Sequence, residues 1–138
     1  MEITLPQLQA FLAEQFPQGA AFGTLCELGE GTAEMVLDVD DSHLRPGGTV
    51  SGPVMMGLAD VTLYAALLSR IGLMPLAVTT NLNINFLRKP AAHQPLTARA
   101  TMLKVGKTIA VGEVFIYSHG NDDPVAHSTI TYSIPPSR

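Results

Sequence analysis

The stretch that decides the fold runs from Pro53 to Ser69, PVMMGLADVTLYAALLS. It is apolar almost throughout and carries one charge, Asp60. A helix that is apolar on every side must be covered on every side, so the spacing predicts a central core helix from about Gly52 to Ile71. Ser51 suits the N-cap, and Pro53 suits the first turn, where a missing N–H does no harm. Gly72 and then Pro75 stop the helix. The run falls short of the ~20 residues a bilayer span needs, and it contains Pro, Gly and Asp, so a membrane role is not expected.

Asp60 is the residue to explain. A carboxylate inside a buried helix is costly unless it is paired, solvated in a cleft or used. On a helical wheel it shares a face with Met56, Gly57, Leu63, Tyr64 and Leu67. Gly57, one turn earlier, would leave room for a ligand to approach the carboxylate. The structural alternative is an Asp60 that caps a backbone group or meets a core arginine.

The flanking sequence supplies the rest of the domain. Pro6 to Phe16 reads as a short amphipathic helix, with Leu8, Phe11, Leu12 and Phe16 on one face. Ala20 to Glu27 and Thr32 to Val39 read as strands around the turn Gly29-Glu30-Gly31. Asp40 to Ser51 is a loop containing Pro46-Gly47-Gly48. After the central helix, Val78 to Phe86 alternates strictly, with Val78, Thr80, Leu82, Ile84 and Phe86 against three asparagines and a threonine. Leu96 to Val105, Lys107 to Ser118 and Pro124 to Ile134 give three further strands joined by tight turns. Consecutive hairpins imply an antiparallel sheet, and the order implies an α+β domain whose sheet curls around the long helix.

Composition narrows the function. The chain has 138 residues, enough for one domain, 1–138, with a real core. Charged residues make up only 14%, so part of the surface is expected to be covered by other subunits. The net charge of −4 and the absence of a basic run argue against nucleic acid. One cysteine, Cys26, rules out an internal disulfide and fits a cytoplasmic protein. The first residues lack the basic region of a secretory signal. The four histidines have no metal-ligand spacing, and only His43 lies near the glycine-rich loop. No nucleophile elbow is present. The loop RPGGTVSGP leads into the helix N-terminus, where unpaired N–H groups can hold an oxyanion or polarise a carbonyl.

Three segments together, GGTVSGPVMMGLADVTLYAALL, AVTTNLNINFLRKPA and the hairpin around KVGKTIAVGEV, resemble the hotdog-fold acyl-CoA thioesterases of the PaaI-like branch. The similarity runs from about Leu37 to the C-terminus. That family usually has His-Gly-Gly ahead of the helix and an acidic residue nine positions after the histidine. Here those positions read Ser51-Gly52-Pro53 and Asp60. The resemblance implies Asp60 as general base or nucleophile and the Gly52 amide polarising the thioester carbonyl. It places Thr79 beside the attacking water and Arg45 where some members carry an asparagine.

The same resemblance implies a homodimer or homotetramer with the site at a subunit interface. Coenzyme A belongs to the substrate, and no further cofactor or metal is expected. Candidate acyl-pocket residues are Met55, Met56, Leu63 and Tyr64. Arg88, Lys89, Lys104 and Lys107 are candidates for the coenzyme phosphates, and Ser51, Gly57 and Asn81 complete the expected substrate-binding set. Two other readings stay open: an acyl-CoA-binding protein without chemistry, and a hydratase or dehydratase, which would need a working histidine.

Overall fold

The computed structural model describes residues 3–91 and 93–136. Helix α1 spans Leu5–Gln15 and is capped by Thr4, whose hydroxyl accepts from the Gln7 N–H while the Gln7 side chain accepts from the Thr4 N–H. Strands β1 (Thr24–Gly29) and β2 (Thr32–Leu37) form the first hairpin. Helix α2 spans Gly52–Ile71, and β3 (Val78–Phe86), β4 (Leu96–Val105), β5 (Ile109–Ser118) and β6 (Ala126–Ser133) follow. All six strands pair antiparallel in the order β1-β2-β4-β5-β6-β3. The sheet wraps α2, giving the α+β hotdog arrangement.

One segment differs from expectation. Pro17–Phe22 is a 3-10 turn, and β1 begins only at Thr24. Pro17 presets the φ of a tight turn, and the turn lets Phe22 lie against α2.

The central helix is buried because the sheet covers it. Leu58, Ala59, Leu63 and Ala65 through Leu68 are fully inaccessible. Its 18-residue apolar window, with mean hydropathy 1.4, is 67% buried inside the domain, so the helix that is long and apolar enough to span a bilayer serves here as the core. Small residues on the inner face of the sheet, Ala98, Ala100, Ala110 and Gly112, let the helix sit close. A Cβ on Gly112 would lie 2.4 Å from Leu63 Cδ1 and 2.9 Å from the Thr101 carbonyl oxygen. The carbonyl belongs to the β-ladder and cannot swing away. Gly112→Ala is therefore expected to destabilise the fold by about 1–3 kcal/mol, lowering Tm by roughly 5–10 °C in a thermal melt.

The two sheet edges are finished differently. The β1 edge carries a bulge between Leu25 and Glu27 and is covered by α1, whose Gln9 amide donates to the Leu25 carbonyl at 2.8 Å. The β3 edge is nine residues long and exposes Val78 (56%) and Phe86 (49%). A long edge left uncovered presents unpaired N–H and C=O groups with which another chain can pair.

Candidate active site

Asp60 sits half-buried on the one stripe of α2 that the sheet leaves uncovered. Its Oδ1 accepts from Thr79 Oγ1 at 2.6 Å and from the Tyr132 hydroxyl at 2.8 Å. The same Tyr132 hydroxyl lies 3.0 Å from the Asp60 carbonyl oxygen. Among the described residues, no basic group pairs with this carboxylate, and Oδ2 has no protein donor. The side chain forms part of a cleft of about 230 Å³ bounded by Phe16, Val61, Tyr64, Ala77, Thr79 and Tyr132, among others. One oxygen is fixed by two hydroxyls and the other is left to act on a water or a carbonyl carbon.

Thr79 reaches Asp60 because of a break in the β3 register. Thr79 pairs with Tyr132 and Asn81 pairs with Thr131, leaving Thr80 as an extra residue. The strict alternation of the sequence would turn Val78 and Thr80 inward. The bulge reverses the phase, so Ala77 and Thr79 face the helix while Val78 and Thr80 are exposed, and Leu82 and Ile84 keep their inward positions.

Tyr132 was not anticipated. The signal lies in its strand, where Ile130, Tyr132 and Ile134 alternate toward the core, and a phenol in such a row needs a hydrogen-bond partner. Burial, and then the neighbouring Asp60 carboxylate, push the Tyr132 hydroxyl far above its ordinary value. Tyr64, stacked on Tyr132 with ring centroids 6.0 Å apart, is also raised, by burial. Both phenols therefore remain donors through neutral pH. A raised folded value contributes stability that is complete below the unfolded value of 10.0 and is lost as pH rises beyond it. Thermal melts between pH 8 and 11.5 are expected to fall above about pH 10, and Tyr132→Phe, though less stable at pH 8, should fall less steeply.

The helix N-terminus forms a second, separate site. Ser51 caps α2 by accepting from the Val54 N–H. Gly52 is the first helical residue, so no intrahelical carbonyl can accept its N–H. It lies in a cleft of about 440 Å³ with Arg45, Met55, Phe86, Arg88 and Lys89. Gly47 and Gly48, at φ 99° and 78°, make the turn that folds Arg45 back against Thr49, and they do not line the cleft. Eight residues of helix separate Gly52 from Asp60, about 12 Å along the axis, and the two clefts share no lining residue.

The remaining expected residues fall in several places. Tyr64 lines the Asp60 cleft, and its hydroxyl meets the Met74 and Pro75 carbonyls at 3.3 Å. Arg45, Arg88 and Lys89 gather around Gly52, whereas Lys104 is exposed on β4 and Lys107 lies in the β4–β5 turn, outside both clefts. Asn81 is exposed on β3. Met56 is exposed outside both clefts, and Leu63 is wholly core, packed toward Gly112. Gly57 leaves no room for a ligand, because a Cβ there would lie 2.1 Å from Phe22 Cε1. Its space belongs to the Phe22 ring, which seats the 3-10 turn on the helix. His43 lines neither cleft, and its Nδ1 accepts from the Asp40 N–H at 2.9 Å.

Comparison with known proteins identifies the family and the fold. The model of the thioesterase superfamily matches residues 47–125, which include α2 with Asp60 and strands β3, β4 and β5. The chain belongs to the thioesterase superfamily, with the PaaI-like hotdog fold. A structure from Silicibacter sp., provisionally described as a thioesterase, is 48% identical over 95% of this chain and 91% of its own, with a TM-score of 0.86. A point mutant of the phenylacetic acid degradation protein PaaI from Thermus thermophilus is 27% identical over 86% of this chain and 99% of its own, with a TM-score of 0.76. A hypothetical thioesterase from Streptococcus pneumoniae, solved with coenzyme A, shares the fold at 22% identity and a TM-score of 0.79, over 91% of this chain and 98% of its own. A search of the curated proteins finds no match.

Proposed function

We propose that this protein is a cytoplasmic acyl-CoA thioesterase that works as a homodimer or as a homotetramer built from two such dimers, each site combining Asp60 of one protomer with Gly52 of its partner. The observation that carries the reading is the Asp60 carboxylate in an open cleft, fixed through one oxygen by Thr79 and Tyr132 and unpaired with any cation among the described residues. Asp60 takes the proton of a water attacking the thioester carbon, or attacks that carbon itself. The Gly52 N–H receives the developing oxyanion, a contribution of about 3 kcal/mol for one such donor.

Two protomers are required by distance. The reacting carbonyl must lie about 3 Å from both groups, which stand about 12 Å apart along one helix. Antiparallel pairing of two β3 edges about Leu82 supplies the missing half. It sets Thr79 of one chain opposite Asn85 of the other, next to Phe86, whose ring Cζ would lie 3.2 Å from a Cβ on Gly52. Each Asp60 cleft would then open toward the partner's helix N-terminus.

The cations around Gly52 suit the coenzyme. Arg45, Arg88 and Lys89 form a basic rim against which phosphates can rest. The hydratase alternative loses its histidine, since His43 is held in the Asp40 capping turn outside both clefts. The test is thiol release from a panel of aromatic and aliphatic acyl-CoA thioesters, with the matching acyl-pantetheines as controls. Arg45→Glu combined with Arg88→Glu should raise KM for the CoA esters about tenfold or more and leave the phosphate-free esters nearly unchanged. Tight binding of CoA esters with no thiol released across the panel would favour the binding-protein reading.

A further inference from the structure

A second apolar cavity, about 250 Å³, lies beneath α1. It is walled by Leu12 and Ala13 of α1, Leu25 of β1, Met35 of β2 and Val61 of α2. Two of its lining residues, Phe16 and Val61, also line the Asp60 cleft of about 230 Å³. The two spaces follow one another along the seam where α1 and the 3-10 turn close the gap between the sheet edges. The Phe16 ring stands between them, set edge-on to Tyr64 at 6.2 Å. Gly19 fixes that position from behind: a Cβ there would lie 3.0 Å from Phe16 Cδ2 and 3.6 Å from Val61 Cγ1.

We propose that the cavity beneath α1 is the distal half of the acyl site, which takes the tail of a medium-length linear acyl group, and that Phe16 sets the length at which a substrate must enter it. This rests on the thioesterase reading of Asp60. A thioester carbonyl held at Asp60, with its coenzyme directed to the partner's Gly52 cleft, has its acyl chain directed along Val61. A short acyl group ends within the Asp60 cleft. A longer one displaces the Phe16 ring and continues against Leu12, Leu25 and Met35. Each methylene buried there contributes about fourfold in affinity.

The test uses the full-length protein with a linear acyl-CoA series from acetyl to dodecanoyl, in the native chain, Ala13→Trp and Phe16→Ala. Ala13 is exposed on α1, lines only the distal cavity and touches nothing near Asp60, so an indole there fills the space. The expected result for Ala13→Trp is acetyl and butyryl turnover within about twofold of native, and a ten- to hundredfold loss for decanoyl carried by KM. Phe16→Ala should shift the preference toward longer chains. A change uniform across chain lengths in both variants, or none in either, overturns the proposal. A readout free of turnover separates it from the thioesterase reading: NMR of the Met35 methyl during titration with the neutral probes decan-1-ol and butan-1-ol. Decanol should move that resonance in the native chain and not in Ala13→Trp, and butanol should not move it. If decanol moves Met35 but no thioester is cleaved, the thioesterase reading falls and the cavity stands as a site for an alkyl chain, without the substrate-length role. If thioesters are cleaved but Met35 stays unmoved, the cavity assignment falls.

Discussion

Replacing Asp60 by Asn is expected to lower acyl-CoA turnover by about 10²- to 10⁴-fold with little change in Tm. The contrast follows from how the carboxylate is held. Both side-chain hydrogen bonds enter Oδ1, from Thr79 and Tyr132, and an asparagine oxygen can accept both. What asparagine cannot do is take a proton or donate an electron pair from the position of Oδ2, the oxygen without a protein donor among the described residues. Thr79→Val is the milder companion. It removes one of two donors that orient the carboxylate, a hydrogen bond to a charged group, and should reduce kcat by about tenfold. Thiol release across the acyl-CoA panel, paired with a thermal melt, reads both variants. Retained full turnover in Asp60→Asn would sink the mechanism. A single turnover in oxygen-labelled water separates the two roles open to Asp60. Label in the Asp60 carboxylate identifies a nucleophile whose anhydride is hydrolysed at the aspartyl carbon, whereas label confined to the product acid, with no anhydride trapped by hydroxylamine, identifies a general base.

Much of this architecture could be read from the chain because burial imposes periodicity. An all-round apolar run of helical length, interrupted by Pro, Gly and Asp, fits a core helix, and the alternating strands on either side fit its cover. The phase of β3 was the part that alternation misreported. Val78 and Thr80 carry the same pattern as Leu82 and Ile84, and the bulge that exchanges them with Ala77 and Thr79 has no glycine or proline to announce it. A lone carboxylate in an apolar helix drew attention to Asp60, but its donor Tyr132 lies 72 residues later, and nothing local ties the two together. Gly57 misled for a related reason. A glycine beside a candidate acid looks like room for a ligand, yet the space is taken by Phe22, which arrives from a 3-10 turn where the sequence suggested a strand. The grouping of Arg45 and Arg88 with Gly52, and the separation of Lys107 from them, depend on which end of the sheet each turn occupies. Strand order fixes that, and strand order is set by long-range packing.

The separation of Gly52 from Asp60 makes the second large prediction one about mixed dimers. Gly52→Pro is the sharpest way to remove the amide proton proposed to hold the oxyanion. Proline is favoured at the first helical position, and the preceding Ser51, at φ −72° and ψ 151°, already has the extended backbone that a residue before proline requires. A Cβ at this position meets only the far end of the Phe86 side chain. The variant should therefore fold and dimerise while losing about 10²- to 10³-fold in kcat. Asp60→Asn is inactive for a different reason, on the other face of the interface. When the two inactive proteins are unfolded together and refolded, about half of the dimers should be mixed, and a mixed dimer carries one site with both groups intact. Activity should return to roughly a quarter of the native level, although each parent alone keeps about a hundredth of it or less. Tagging the two chains differently and isolating the mixed dimer should raise that value to about half. A site built within one chain gives the opposite result, since every protomer then lacks either its amide or its carboxylate and no mixture regains turnover. Charge-blocking the β3 edge with Val78→Lys and Leu82→Lys should abolish the recovery together with the dimer, because inward and outward lysines on an edge strand oppose pairing.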